Sequence, residues 1–456
     1  MMKYFCALML MCVMVGSAVA QDTPVGTEDP NSAAPSPIFY FYTYHRINGN
    51  RIVPGTGSFP NVPGYDVQLD NVPVWVVGGN VPGDIPRWQV RDALGYSQLI
   101  IRPVDSPVPG VIRNEDPTIK GEPATSLPVM AITAGASGNL KSQDNPTSLT
   151  HPIPLLDGSV YFQVTYNGDV AIWRNNIELA RLPLNVLRDA RPVVNTDGLI
   201  AVYAGATDQR YVHGILGDNQ EASGLAIVKL TSSQFGIQLR TDLQGEDVFE
   251  GISPFWADVN EDGIEDLVTT VSNSTVGSWI RVYLFDGTQF TAEVNSTPLG
   301  QDSRWIHQIA FGPFGPNGEN EIAAVRTPDI NGAVQFLRYN AETNALDTVG
   351  EKEGYTSHMI GSRNVDMAVA GDFNGDGQPE LVLPAQDRTR IVGVQHTAEG
   401  VLEMWSLPVN GRIVTNLTAV VLNDNSLALA YGTDDGRLRV WLPDAPAAVP
   451  TPTVAP

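Results

Sequence analysis

Asp258-Val-Asn260-Glu-Asp262-Gly263-Ile264-Glu-Asp266-Leu267 and Asp372-Phe-Asn374-Gly-Asp376-Gly377-Gln378-Pro-Glu380-Leu381 are nearly the same phrase, written twice in one chain. Each sets oxygen-bearing side chains at alternate positions, turns at a glycine, and runs at once into apolar residues that read as a strand. Ca²⁺ is a hard cation that takes about six to eight oxygens in a flexible shell. In the first phrase a tightly curled backbone aims Asp258, Asn260 and Asp262 inward, Gly263 takes the positive φ that reverses the chain, and Ile264 offers its carbonyl. Asp266 closes the shell at the mouth of the strand. Asp372, Asn374, Asp376, the Gln378 carbonyl and Glu380 take the same roles in the second phrase. An EF-hand would place a helix after the loop and its last acid at about position 12; here the acid comes earlier and a strand follows. Mg²⁺ suits the pattern less, because it demands a rigid octahedron and keeps its waters. The plain alternative is an acidic turn that fits a hairpin without an ion.

Hairpins surround these loops. Glu321-Ile-Ala-Ala-Val325 is followed by Asn331-Gly332 and Ala333-Val-Gln-Phe-Leu-Arg338. Leu427-Ala-Leu-Ala-Tyr431 is followed by Asp435-Gly436 and Arg437-Leu-Arg-Val-Trp441, and Val160-Tyr-Phe-Gln-Val164 by Asn167-Gly168 and Asp169-Val-Ala-Ile-Trp173. Each reads as a strand, a turn that needs positive φ, and a second strand. Helical periodicity is scarce: the best candidate, 175–190, contains Pro183 and builds no apolar stripe. Leading strands begin at Val160, Leu199, Leu267, Ile322, Leu381 and Leu427, at intervals of 39, 68, 55, 59 and 46 residues, with a fainter copy at Leu99. Constant hairpin content at uneven spacing suits a propeller, whose connecting loops vary. A solenoid would keep a tighter period. The expected fold is therefore all-β, a β-propeller of seven blades with six or eight as alternatives, over residues 38–442.

The stretches Phe255-Trp-Ala-Asp258 to Val268 and Ala370-Gly-Asp372 to Val382 resemble FG-GAP/VCBS repeats. That resemblance implies the propeller of integrin α chains and many secreted bacterial proteins, in which such a loop joins two strands of a blade and binds Ca²⁺. It is specific over these two repeats and looser over 250–440. A third copy, Gly312-Pro-Phe-Gly-Pro-Asn317-Gly318-Glu-Asn-Glu321-Ile322, keeps the turn and the closing acid. Pro313 and Gly315 stand where its first two ligands belong, so the fold is implied there but a full ion site is not. Segments near 157, 197 and 424 keep only a short turn, and 38–150 carry almost nothing of the motif. Two structural calcium ions are thus expected, each cancelling carboxylates crowded into one turn.

The bulk properties agree with export. Lys3, an apolar run to about Val15 and Ala18-Val-Ala20 have the order of a signal peptide over 1–20, cut before Gln21. Both cysteines, Cys6 and Cys12, lie within it, so the mature chain would have neither a disulfide nor a thiol. Residues 21–37 and 443–456 are rich in Pro, Ala and Thr and read as flexible spacers. The formal net charge is -23, with 50 acidic against 27 basic residues. Such a surface repels phosphate backbones, which argues against nucleic acid, and no apolar run is long enough to span a bilayer. A bacterial extracytoplasmic location, at the cell surface or in the periplasm, follows.

One phrase outside the loops stands out: Gln209-Arg210-Tyr211-Val-His213-Gly214 to Asp218 and Glu221. Arg210, His213, Asp218 and Glu221 are candidates for a ligand pocket at a propeller mouth, provided the loop folds back, since alternation puts Arg210 opposite Tyr211 and His213. No His-Glu-x-x-His, Gly-x-Ser-x-Gly or nucleophilic triad appears. Most of the tryptophans Trp256, Trp279, Trp305, Trp405 and Trp441 read as packing residues, with one or two left open as exposed rings that stack on a sugar, and 38–44 reads as a strand that opens the fold or closes its ring. Asn273, Asn295 and Asn416 match a glycosylation acceptor that usually means nothing in a bacterial chain. The function expected is a binding or structural module for an extracellular carbohydrate or surface protein. The alternative is a polysaccharide lyase or hydrolase on the same scaffold.

Overall fold

Runs of alternating side chains, cut by turns at which glycine or asparagine takes positive φ, fold into antiparallel strands. Asn331 (φ 53°), Gly168 (φ 81°) and Gly436 (φ 79°) make the turns of the three hairpins named above. The computed structural model describes residues 23–24, 39–42, 46–80, 85–92, 94, 97–101, 110–112, 131–134, 140–142, 150, 152–155, 160–174, 177–231, 234–301 and 304–443. The leader 1–20, the spacer apart from Thr23 and Pro24, and the tail beyond Pro443 lie outside the described residues. The fold is all-β with multiple sheets.

Sheet A joins Pro73–Gly79, Arg87–Asp92, Ser97–Ile101 and Gly110–Ile112, and sheet B joins Ile153–Leu155, Val160–Val164, Val170–Arg174 and Ile177–Leu182. Sheet C holds Val193–Val194, Leu199–Thr207, Glu221–Leu230 and Gln234–Asp242. Sheet D holds Phe255–Ala257, Asp266–Asn273, Gly277–Phe285 and Phe290–Ser296. Ile306–Gly312, Glu321–Arg326, Ala333–Asn340 and Ala345–Glu353 form sheet E. Sheet F consists of Val369–Asp372, Glu380–Pro384, Arg390–Thr397 and Gly400–Pro408. All six are antiparallel meanders in chain order, and C, D and E are joined into one hydrogen-bonded sheet by Val248–Phe249, which pairs with the third strand of C and the second of D, and by a parallel pairing of Asn295–Ser296 with Ala345–Leu346.

Sheet G breaks that order. Thr418–Val421, Leu427–Thr433 and Arg437–Trp441 come from the C-terminal end, and the fourth strand, Gly64–Gln68, comes from the N-terminal end. The aromatic run 38–44 therefore does not close this sheet. Its strand Phe39–Tyr42 pairs with Ala131–Ala134, which pairs with Leu140–Ser142, in a three-stranded sheet H.

Neighbouring sheets share apolar cores. Phe162 and Ile172 of B pack with Val202 and Ile227 of C, in a cluster that continues to Leu267 and Tyr283 of D. Val282 of D meets Ile322 and Leu337 of E, and Val325 and Phe336 of E meet Leu381 and Val392 of F. Phe373 and Trp405 of F meet Leu429 and Trp441 of G, and Leu438 of G meets Val76 and Trp88 of A. Sheet H touches the first strand of A. Trp256, Trp279, Trp305, Trp405 and Trp441 are all buried, as packing residues should be. So is Asn416, whose amide donates to Val76 O and whose Oδ1 accepts from Val76 N; it is closed to a glycan.

One segment crosses these sheets. Ile47 O accepts from Val194 N, Asn48 O from Trp256 N, and Arg51 O from Ala370 N; Asn50 Nδ2 donates to Phe311 O. Ile52–Thr56 then runs parallel to the first strand of F, and Thr56 N donates to Asn425 O in sheet G. Residues 47–56 thus touch the first strands of C, D, E and F in turn. Their anchor is a buried ion group: Asp366 accepts from Arg51 Nε at 2.8 Å and from Arg191 Nη1 at 2.6 Å. Burial alone would raise the Asp366 carboxyl, but the two guanidiniums outweigh it and hold the acid well below its usual range.

Candidate ion-binding loops and the charged cluster at the opposite end

The two repeated phrases occupy the same place in sheets D and F, between the first strand and the second. Gly263 and Gly377 both have φ 91°, and position four is also left-handed in each, as Glu261 (φ 60°) and Gly375 (φ 82°). Asp258 Oδ1 accepts from Asp262 N and its Oδ2 from Gly263 N, at 3.0 Å each. Asp372 Oδ1 accepts from Gly375 N at 2.7 Å. Asn260 Nδ2 donates to Asp262 at 2.8 Å, and Asn374 Nδ2 to Asp376 at 2.9 Å. Side chains at positions one, three and five therefore curl over the loop in both. An ionised carboxylate has about four lone-pair sites, so those that accept amides keep acceptor capacity in reserve.

The closing acids are buried. Asp266 accepts from Val259 N and Phe285 N, and Glu380 from Phe373 N and Trp405 Nε1. Among the described residues neither forms an ion pair, and nor do Asp258, Asp262, Asp372 or Asp376. Burial pushes the Asp266 carboxyl up to about 6, against its backbone hydrogen bonds, and Asp262 adds to the rise. Burial likewise pushes Glu380 up to about 8, with Asp376 and Asp372 contributing. Ile264 and Gln378 lie in place after the glycine; Gln395 Nε2 reaches both Asp376 oxygens at 3.3 Å and the Gln378 carbonyl at 3.5 Å. Among the described residues, no three or more His, Cys, Asp or Glu side chains are gathered closely enough to hold a metal ion.

The third copy, in sheet E, solves the same problem with protein atoms. Gly318 (φ 81°) makes the turn and Glu321, at the place of Asp266 and Glu380, is fully buried. Arg338 holds Glu321 from the next strand and also lies 3.5 Å from Glu319, while His396 Nδ1 sits 2.9 Å from the other Glu321 oxygen. Strand register explains the choice. Continuing the pairs Leu267–Tyr283, Ile322–Leu337 and Leu381–Val394 by one step sets Leu284 against Asp266, Arg338 against Glu321 and Gln395 against Glu380. Counting outward from the Asn331-Gly332 turn would have found Arg338 in the sequence; His396 belongs to another sheet and no local pattern marks it. The three loops also touch one another, through Asn320–Glu261 and Gln378–Pro316.

Arg210, His213, Asp218 and Glu221 lie at the other end of the sheets, on the connection between the second and third strands of C. The structure does not bring all four together. Arg210 Nη1 turns to the carbonyls of Leu243 and Asp247, at 2.9 and 3.0 Å, and Asp218 pairs with Arg363, which also reaches Asp189 at 3.4 Å. His213 and Glu221 do meet, at Glu250. His213 Nδ1 lies 2.5 Å from Glu250 Oε1, and Glu221 faces Glu250 one step beyond the Ala222–Phe249 pair. Burial lowers the His213 pKa, but the hydrogen bond to Glu250 and its charge outweigh that and raise it. Burial, then Glu250, then Asp218 and Asp189 push Glu221 well above its ordinary value. Glu250 and Arg363 were missed in the sequence because they stand in irregular connections with no repeated spacing.

No protein-family model matches the chain, and no curated protein matches it. Solved structures do. A europium-containing methanol dehydrogenase is similar at 8% identity and a TM-score of 0.51, over 85% of this chain and 89% of that one. BBS1N in complex with ARL6DN, soaked with mercury, is similar at 13% identity and a TM-score of 0.36, over 64% and 75%. A mitotic checkpoint complex is similar at 11% identity and a TM-score of 0.35, over 91% and 98%. The first likeness concerns the fold alone, and the other two are too loose in shape to bear on it.

Proposed function

We propose that the chain is a secreted β-propeller, stabilised by two structural calcium ions, that serves as a binding or structural module for an extracellular carbohydrate or surface protein. The observation that carries this reading is the contrast among the three equivalent loops. Glu321 is buried beside Arg338 and His396, whereas Asp266 and Glu380 are buried with no side-chain cation among the described residues, in loops that add Asp258, Asn260 and Asp262, or Asp372, Asn374 and Asp376. A buried carboxylate needs a compensating charge, and oxygen-only donors at this spacing suit Ca²⁺. The ions would fix turns, while variable loops on the rigid scaffold would recognise the partner.

The ring is supported by the order of shared cores, which runs B, C, D, E, F, G, A, and by the N-terminal strand Gly64–Gln68 that completes G. Two strands of sheet H, Ala131–Ala134 and Leu140–Ser142, fall between A and B in the chain, and H touches A. Placing H against B closes a ring of eight sheets, one more than the spacing of leading strands suggests.

Calorimetric titration of the chelator-treated chain with CaCl₂ is expected to give two saturable sites and a raised melting temperature. Asp262→Ala and Asp376→Ala should each remove one site and part of the rise. Absence of both heat and stabilisation at millimolar calcium would sink the ion assignment.

A further inference from the structure

A cavity of about 390 Å³ lies between residues 296–299, where the chain leaves sheet D, Arg304, and one face of sheet E. Strand register builds that face. Arg326 stands opposite Ala333 and Thr348 opposite Leu337, while Ala333, Gln335 and Leu337 alternate along one strand, so Arg326, Gln335, Leu337 and Thr348 point the same way. The other wall is pinned to sheet D: Leu299 N donates to Ser278 O and Gly300 N to Val276 O, both at 2.9 Å. A site held in place beforehand saves a ligand the cost of ordering it.

The chemistry of this cavity is polar. Small-molecule sites of its size are mostly apolar with a few placed polar groups. The cavity beside Trp305 follows that rule: it shares Arg304, Arg326 and Thr327 with this one but adds Ile215, Pro328, Ile330 and Ile360. Here the apolar members are Pro298, Leu299 and Leu337. The hydroxyls of Thr297, Thr327 and Thr348 bond nothing among the described residues, and Thr297 and Thr348 are exposed, so a ligand can reach them. Ser296 Oγ accepts from Ile280 N at 3.0 Å and keeps its own O–H to donate. Gln335 is 8% exposed; its Nε2 is held by Glu351, and its Oε1 accepts nothing among the described residues.

The two arginines of the wall differ. Arg326 is neutralised by Glu351 and Glu353, at 2.7 and 2.9 Å. Arg304 is exposed, donates through Nη1 to Leu299 O at 3.1 Å on the same wall, and forms no ion pair among the described residues. One open guanidinium among hydroxyl groups calls for one carboxylate on a hydroxylated body. The glutamates beside Arg326 would repel the second charge of a phosphate.

We propose that this cavity binds an acidic sugar, with its carboxylate on Arg304, its ring hydroxyls on Thr297, Thr348 and Gln335 Oε1, and its C–H face on Leu299 and Leu337. This rests on the binding-module reading and narrows its carbohydrate to the uronates. A free sugar acid and a residue of an acidic polysaccharide present the same chemistry.

The probes are methyl galacturonide and methyl glucuronide, their neutral partners methyl galactoside and methyl glucoside, and cyclohexanecarboxylate as a ring acid without hydroxyls. Each is titrated by calorimetry with calcium present, and a thermal melt of every variant confirms the fold. The better uronide is expected to saturate at millimolar concentration, with its neutral partner and cyclohexanecarboxylate each about tenfold weaker or more. Arg304→Gln, at an exposed position, should bring the uronide down to its neutral partner and leave the partner unchanged. Thr348→Val should weaken both by about threefold or more. A tetramer of the same uronate that binds tighter than the monomer names a polysaccharide as the source, and the reverse names a free sugar acid. Equal binding of uronide and neutral sugar, or no binding of either uronide by the folded protein, overturns the proposal. So does uronide binding that both variants leave intact, an outcome that moves the sugar to another surface and keeps the binding-module reading. Calcium sites counted in the same samples test the ion assignment separately.

Discussion

The loops of sheets D and F and the loop of sheet E start from one blueprint and end with different charge balance. All three turn at a positive-φ glycine and bury an acid at the head of the second strand. In E that acid faces Arg338 across the strands and His396 from sheet F, so the loop in front of it is free to carry Pro313 and Gly315. In D and F the facing residues are Leu284 and Gln395, and the loops keep their full set of oxygens. A strand position and a loop composition have changed together. The difference teaches that the buried acid is the constant feature, and that among the described residues the chain supplies its counter-charge in E and not in D or F.

The largest expected effect separates the two kinds of loop by pH. Asp266 and Glu380 have folded-state pKa values above their ordinary ones of 3.8 and 4.5, at about 6 and about 8. Stability from such a group is full below the ordinary value and is lost as pH rises through the folded one. The metal-free protein should therefore lose stability between about pH 4 and pH 8, by several kcal/mol for the two acids together, since one pKa unit is about 1.4 kcal/mol. Calcium competes with the proton for the same oxygens, so the loaded protein should show a flatter slope. Thermal melts from pH 5 to 9, in chelator and in calcium, measure this. Glu380→Gln should remove the part of the metal-free slope that runs from its ordinary pKa of 4.5 up to its folded one of about 8. Identical slopes with and without calcium would erase the distinction between the loops.

Arg338→Met attacks the comparison from the other side. Stripping the partner from a buried ion pair costs about 3–5 kcal/mol; with Arg338 one-third exposed and His396 still in place, about 2–3 kcal/mol is expected. The loss should be the same in calcium and in chelator, because sheet E carries its own cation. A loss that calcium repairs would show that the third loop is an ion site after all.

How far these features were legible follows from their range. The hairpins at Asn167-Gly168, Asn331-Gly332 and Asp435-Gly436 announce themselves within about a dozen residues, because turn chemistry and alternation are local. The loops are legible for the same reason. By contrast, Gly64–Gln68 reads as a polar stretch and becomes the last strand of a sheet more than 350 residues away in sequence. The crossing segment 47–56 has no periodicity at all; it is defined by amides and carbonyls that it meets on four different sheets. The cavity beside Trp305 is assembled from four separate segments, and no spacing in the sequence ties Arg304 to His213 or Ile360.

Transplanting the counter-charge is the next smaller test. Gln395 occupies in sheet F the register that Arg338 occupies in sheet E, and already reaches Asp376 and the Gln378 carbonyl. Gln395→Arg would set a guanidinium against Glu380. The chelator-treated protein is then expected to gain about 1–2 kcal/mol, the scale of a charged hydrogen bond, and calorimetry should count one calcium site fewer. Retention of both sites with no gain would mean that the register alone does not decide the source of the charge.

The smallest effect concerns the backbone that the two calcium-type loops share. Position four is left-handed in both, yet it is Glu261 in D and Gly375 in F. A side chain there costs about 1 kcal/mol, so Gly375→Ala should lower stability by about that much, and somewhat more because the new Cβ would stand 2.8 Å from Gly57 O. Glu261→Gly relieves the same strain but loosens the unfolded chain and gives up the Asn320 hydrogen bond. Its net effect on urea denaturation should be within about 0.5 kcal/mol of zero. If Gly375→Ala were as neutral as Glu261→Gly, the two loops would not share a strained turn, and their common geometry would owe more to the carboxylates than to the chain.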